Sequence, residues 1–455
     1  MNKTADHFKG FLSKMNAIMK NVLIITDLSY ASPRIPGLCQ YFAEVGWKAT
    51  VLTAPLGTMH RERLVVPSKY VRIIEVSYSG IIDFCKKLMG FKSNLSVFSQ
   101  LEQKFPTAKK SFIESLLFRL FIWGGTFFAY PDEMRGWRNP AIKAAKELLA
   151  TEKFDAILSS SFPITSHLIA RELTKQTGIP WLADLRDLWT QNHNYLFPKR
   201  KFFETRLEKS TLSKAHALST VSESLSQKLQ SRYQNAHISV ITNGFDSELI
   251  NEPAIPLTKE FTITYTGLVY RDKQNPAKLF EVIQALIAEG LMDRSEVRIR
   301  FYGTVQKWIT QLAIEYGIQD IVTQYGPIIR NEAIIKQRES QILLFYGWED
   351  EYELGVLPLK MFEYFAARRP ILATGGTSQE QFRNILDVTK AGQHAININD
   401  IKRIVYDHYR EYCQKKEVTY TGNSVEMDKY SYRHMANKFS YVLDKISENP
   451  NQKKG

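Results

Sequence analysis

Lys360 and Glu363 stand three residues apart in the stretch GVLPLKMFEYFAARRPILATGG, residues 355–376, and are its only charges ahead of a closing arginine pair. Pro358 predicts a helix start there, with free backbone N–H groups and the positive dipole end turned toward whatever precedes it. Lys360 adds a full charge to that end, which is unfavourable unless an anion is bound. Glu363, one turn on, can accept hydrogen bonds from two vicinal hydroxyls. Anion at the helix start and ribose on the carboxylate describe a nucleoside diphosphate. The plainer reading is an exposed i, i+3 ion pair worth about 0.2–0.5 kcal/mol. Two other clusters invite chemistry. In ADLRDLW, Asp184, Arg186 and Asp187 follow a strand, where carboxylates position a sugar hydroxyl or handle a proton; the alternative is an ion pair fastening the loop. In TGLVYRDKQNP, Arg271 and Lys273 could hold a diphosphate and stabilise it as it leaves, or be surface charge.

Other chemistries lack their residues. The serines of SSSFPIT are not in a Gly-x-Ser-x-Gly elbow, and no G-x-x-x-x-G-K-[ST] loop occurs. No G-x-G-x-x-G follows the first strand, which argues against a nicotinamide dehydrogenase. Cys39, Cys85 and Cys413 fit neither a disulfide framework nor metal-ligand spacing, which favours a reducing, cytoplasmic setting. The start MNKTADHFKGFLSKMNAIMK lacks the apolar core of a signal peptide. No cofactor and no metal are expected.

The elements that must position these residues alternate between short apolar runs and amphipathic helices. NVLIITDL, WKATVLTA, VRIIEVSY, DAILSSS, PWLADLRD, ALSTVSE and ISVITNG read as strands of one α/β domain. FTITYTG, VRIRFYG, IVTQYGP, ILLFYGW and PILATGG read as strands of a second. These runs carry glycine as their last or second-last residue, Gly267 and Gly303 among them, and small residues at carboxyl ends of parallel strands let a ligand approach the backbone. At 455 residues the chain exceeds one ordinary core. The division is 1–245, 246–425, and a C-terminal segment 426–455 whose Met435, Phe439, Val442 and Ile446 form one helical stripe. A cleft between the domains is the default site.

Charge is uneven: residues 1–200 hold 27 Lys and Arg against 16 Asp and Glu, the remainder 33 against 31. A basic first half suits an anionic partner, be it phosphorylated ligand, nucleic acid or membrane, or is simply a solvated positive face. No recognised nucleic-acid motif accompanies it. Residues 81–130 mix paired lysines with Phe, Leu and Trp. Glu114 and Arg119 interrupt the apolar run, so it cannot span a membrane. An interfacial helix on an anionic membrane fits it, as does a cover for the domain's own sheet.

The segments PDEMRGWRNPAIKAAKELL, FDAILSSSFPITSHLIARELTKQTGIPWLADLRDLW, LSTVSESLSQKL, VITNGFD and LPLKMFEYFAARRPIL, in this order, resemble the retaining GT-B glycosyltransferases of bacterial polysaccharide and lipopolysaccharide synthesis. The resemblance implies two facing Rossmann-like doubly wound parallel-sheet domains, the C-terminal helix docking back, with donor nucleotide on the second domain and acceptor on the first. Glu363 matches the second glutamate of the family's paired motif, a ribose ligand. Gly355 stands where the first would fall, with Glu353 two residues out of register. Arg271 is similar in position to the diphosphate-binding arginine, and Lys273 to its lysine partner. Asn243 and Gly244 match the interdomain turn, and Arg34 and Gly37 would line the cleft. DLRD occupies the place of the family's histidine. The implied reaction moves a sugar from a nucleotide-diphosphate sugar to a glycan or lipid-linked acceptor with retention, at the cytoplasmic face of the membrane. The leaving diphosphate takes the acceptor proton, and positive groups stand in for a metal. A sugar-nucleotide epimerase or an inactive scaffold of the same fold are the alternatives.

Overall fold

Strands buried on both faces need apolar side chains on both, so the continuous apolar runs become parallel strands covered by helices. The computed structural model describes residues 19–28, 32–56, 71–78, 130–192, 195, 200–271, 273–348, 357–378 and 380–448. Residues 81–129, Glu353 and Gly355 lie outside these.

The first unit holds β1 (Lys20–Ile25), β2 (Trp47–Thr53), β3 (Val71–Glu75), β4 (Ala156–Ser161), β5 (Trp181–Leu185), β6 (Ala217–Thr220) and β7 (Ile238–Val240). They form one sheet in the order β3-β2-β1-β4-β5-β6-β7, every pair parallel. The second unit holds β8 (Phe261–Thr266), β9 (Val297–Tyr302), β10 (Val322–Gly326), β11 (Ile342–Tyr346), β12 (Ile371–Thr374) and β13 (Gly392–Ala395). Its order is β10-β9-β8-β11-β12-β13, again all parallel. Both sheets therefore wind the same way, reversing between β1 and β4 and between β8 and β11. Such switch points are where open α/β sheets bind ligands, at the strands' carboxyl ends.

The chain passes from the first unit to the second between Ile241 and Thr242, and the segment from Ala436 onward gathers with the first unit. The helix Tyr432–Glu448 buries the expected stripe of Met435, Phe439, Val442 and Ile446. Within the first unit its Asp444 meets Lys20 Nζ at 2.7 Å, and Ser440 Oγ donates to the Val45 carbonyl at 3.3 Å. Among the described residues no helix is long and apolar enough to cross a membrane.

Candidate functional site

Glycines floor the carboxyl edge of the second sheet because its backbones touch there. Gly267, just past β8, has φ +119°, a left-handed value that side chains rarely adopt. A Cβ on Gly303, just past β9, would lie 2.1 Å from the Gly267 carbonyl oxygen. The Gly267 N–H donates to Tyr302 O, and the Gly303 N–H to Gly326 O at 3.0 Å. Gly303→Ala should therefore cost about 1–3 kcal/mol, at the upper end because the obstacle is backbone. A thermal melt within a degree of wild type would contradict that close approach.

The helix Leu359–Ala367 aims its N-terminus at this edge. It buries Met361, Phe362, Tyr364, Phe365, Ala366 and Ala367 and leaves Lys360 and Glu363 half-buried. Pro358 sits one residue before the expected helical position, as an N-cap with φ −62° and ψ 140°. Its extended ψ places it outside the helix, so the Leu359 and Lys360 N–H groups open the first turn. Lys360 Nζ donates to Tyr265 Oη and lies 4.0 Å from the centroid of that ring. A Cβ on Gly267 would come within 2.9 Å of the same nitrogen. Burial lowers the Lys360 ammonium to about 7, against the pull of Glu363 in the other direction.

Glu363 does not pair with Lys360. Its Oε1 accepts from Arg330 Nε at 3.1 Å and Nη2 at 3.0 Å. Arg330 opens the helix Arg330–Arg338 that follows β10, so the second unit brings together two cations, one carboxylate and a helix N-terminus. Arg330 and Tyr265 were not singled out from the sequence. A cation opening the helix after IVTQYGP is the signal that could have marked Arg330; Tyr265 looks like any strand aromatic. Arg271 is exposed on the loop after β8. Lys273 lies with its Nζ 4.7 Å from the Trp348 ring centroid, and that indole stacks on Tyr270 at 5.2 Å. Gly244 and half-buried Asn243 belong to a segment that pairs with residues 430–432: Phe245 N–H donates to Tyr430 O at 3.2 Å, and Tyr432 N–H to Phe245 O at 2.8 Å.

In the first unit the geometry corrects two readings. Arg34 opens the helix Arg34–Phe42 yet is fully buried, so it lines no exposed surface. Its Nε and Nη2 donate to the two Asp184 oxygens at 3.1 and 2.9 Å, and Nη2 also to the Ile241 carbonyl at 2.8 Å. The guanidinium lies 5.1 Å from the Phe439 ring centroid. Asp184 accepts further from Ser160 Oγ and Ser219 Oγ, both at 2.8 Å. Burial alone would raise its pKa; Arg34 and the serines outweigh burial and lower it. A carboxylate with four donors and no exposure is a tie between β4, β5, β6 and the Arg34 helix, not a proton carrier. Gly37 is buried one turn along that helix, its N–H donating to Pro33 O at 2.7 Å.

Arg186 donates through Nη2 to the Phe162 carbonyl at 3.0 Å, which fixes the turn after β4. Of the three residues in ADLRDLW singled out for chemistry, Asp187 is the one exposed. His167, on the helix Thr165–Thr177 after β4, is buried, with Nδ1 2.7 Å from Ser159 Oγ. Burial lowers it to about 4, so it is a neutral core imidazole.

Residues 37–249 match the model of Glycosyltransferase Family 4, a stretch that takes in most of the first unit. No curated protein sequence matches the chain significantly. Sucrose-phosphate synthase of Thermosynechococcus elongatus superposes with a TM-score of 0.57 at 13% identity, over 94% of this chain and 99% of that one. HepE of Anabaena, in complex with UDP-glucose, gives 0.58 at 9% identity over 93% and 99%. A glycosyltransferase of Rickettsia africae gives 0.52 at 14% identity over 96% and 100%. At such identities the likeness is one of fold: two Rossmann-like parallel-sheet units of the GT-B type. The chain thus has the GT-B fold, with a glycosyltransferase family 4 match in its first half.

Proposed function

We propose that this protein transfers a sugar from a nucleoside-diphosphate sugar to an acceptor hydroxyl, with retention, in the synthesis of a cell-surface glycan. The observation that carries the reading is the edge of the second sheet. There a helix N-terminus, the Lys360 ammonium and the bare backbone of Gly267 converge, with Glu363 one turn further on. Each group has one task. The helix N–H groups and Lys360 hold the diphosphate and steady its charge as the sugar departs. Arg271, from the loop after β8, and Arg330, from the first residue of the helix after β10, add positive charge. Glu363 exchanges its Arg330 contact for the ribose hydroxyls. The acceptor hydroxyl attacks from the face the diphosphate leaves, which takes up the proton, so the protein supplies no nucleophile.

UDP is the first ligand and UDP-glucose the first donor to try, because HepE, similar in fold, was solved with each of them. The basic first half would face a lipid-linked acceptor at the inner face of the plasma membrane. Glu363→Ala should weaken nucleoside diphosphate binding about tenfold or more, and a 2′,3′-dideoxy ligand should bind both proteins equally poorly. Unchanged affinity on calorimetry would remove the ribose assignment. Turnover that proceeds without any acceptor would instead favour epimerisation.

A further inference from the structure

We propose that the outward face of the helix Lys201–Leu212 docks on an anionic phospholipid membrane. Along this helix the usual polarity is reversed. Its inward stripe carries two carboxylates, Glu204 and Glu208, 2% and 1% exposed. Glu204 is held by Arg200, whose Nε donates at 2.8 Å, and by Trp189 Nε1 at 3.3 Å. Glu208 accepts from Thr190 N at 3.0 Å, Arg232 Nη1 at 2.8 Å and Tyr233 Oη at 3.1 Å. Both negative charges are thereby turned inward and neutralised.

What remains outside is aromatic and basic. Phe202 and Phe203 are 74% and 64% exposed, and their rings pack edge to face on each other at 5.5 Å. Lys201, Arg206 and Lys209 are exposed beside them, and Lys214 just beyond the helix end. No carboxylate of this helix reaches the surface. Phenyl rings among cations, with the anions withdrawn, match a lipid surface: rings enter the acyl boundary while lysine and arginine meet phosphates. Neither a neutral protein groove nor bulk water complements both halves of that pattern. The surface concerns where the protein sits, and it stands or falls independently of the transfer reaction.

The test is co-sedimentation of the full-length protein with vesicles of phosphatidylglycerol and phosphatidylcholine in equal parts, and with phosphatidylcholine alone. Wild type should bind the anionic vesicles and leave the neutral ones. Phe202→Ser with Phe203→Ser should lower partitioning about tenfold or more, as should Lys201→Glu, Arg206→Glu and Lys209→Glu together. All these side chains are exposed, so melting temperature and nucleotide affinity should stay at wild-type values. Three results would overturn the proposal: wild type ignoring anionic vesicles, equal binding to neutral ones, or undiminished binding by the phenylalanine variant. A wild-type dimer on gel filtration that this variant splits, with no vesicle binding, would assign the face to a second copy instead.

Discussion

Replacing Asp184 with alanine should destabilise the protein by about 3–5 kcal/mol, a large part of the 5–15 kcal/mol typical of a folded domain. The reason is what the substitution strands. Arg34 would keep its charge in a site with no solvent exposure, and Ser160 and Ser219 would lose their acceptor. Urea unfolding followed by far-ultraviolet dichroism measures the loss. Arg34→Met with Asp184→Leu should recover much of it, since an apolar pair strands no charge. If the single variant melts like wild type, the buried pair is not what ties these strands together. The pH dependence has a definite sign. The folded carboxyl pKa lies below the ordinary value of 3.8, so its contribution is complete above that value. It disappears as pH falls below 3.8 through the folded value.

This pair also shows where a sequence stops being legible. Arg34 and Asp184 are 150 positions apart, and each lies in a segment that reads as an exposed loop end. Only the winding of the sheet brings the Arg34 helix over β5, so local spacing could not tell a buried tie from a cleft residue. Glu363 presents the same problem in smaller form. Lys360 has the right spacing for it, but its partner, Arg330, comes from 33 residues earlier. The strands were far more legible, because apolar runs with terminal glycines are local signals. β13 is the exception. Its sequence GQHA shows almost no apolar pattern, for it is an edge strand whose burial comes from one neighbour, β12, and from the adjoining helix. The glycine floor was visible as composition, though not that Gly303 and Gly267 meet each other.

Affinity for a nucleoside diphosphate should start to fall at about pH 7 and then drop about tenfold per pH unit, reaching about 100-fold near pH 9. Lys360 is the cause. Burial against Tyr265 lowers its ammonium to about 7, so the empty site loses its charge just where most lysines keep theirs. The second ionisation of a phosphoryl group is centred near pH 6 and is nearly complete by about pH 7, so the phosphate itself contributes little to the fall above that pH. A bound diphosphate should restore the proton, and calorimetry in buffers of different ionisation enthalpy should register its uptake on binding. Lys360→Arg keeps a charge throughout and should flatten the profile; Lys360→Met should flatten it at lower affinity. Stability must move the other way. The folded value lies below the ordinary 10.5, so between about 7 and 10.5 the unfolded chain binds a proton that the folded chain does not. Lys360 therefore adds stability as pH rises through that window. Affinity that falls while the fold holds or strengthens separates loss of one ammonium from alkaline unfolding. A wild-type profile flat to pH 9, or a fall that survives in Lys360→Met, would place the anion elsewhere on the sheet edge.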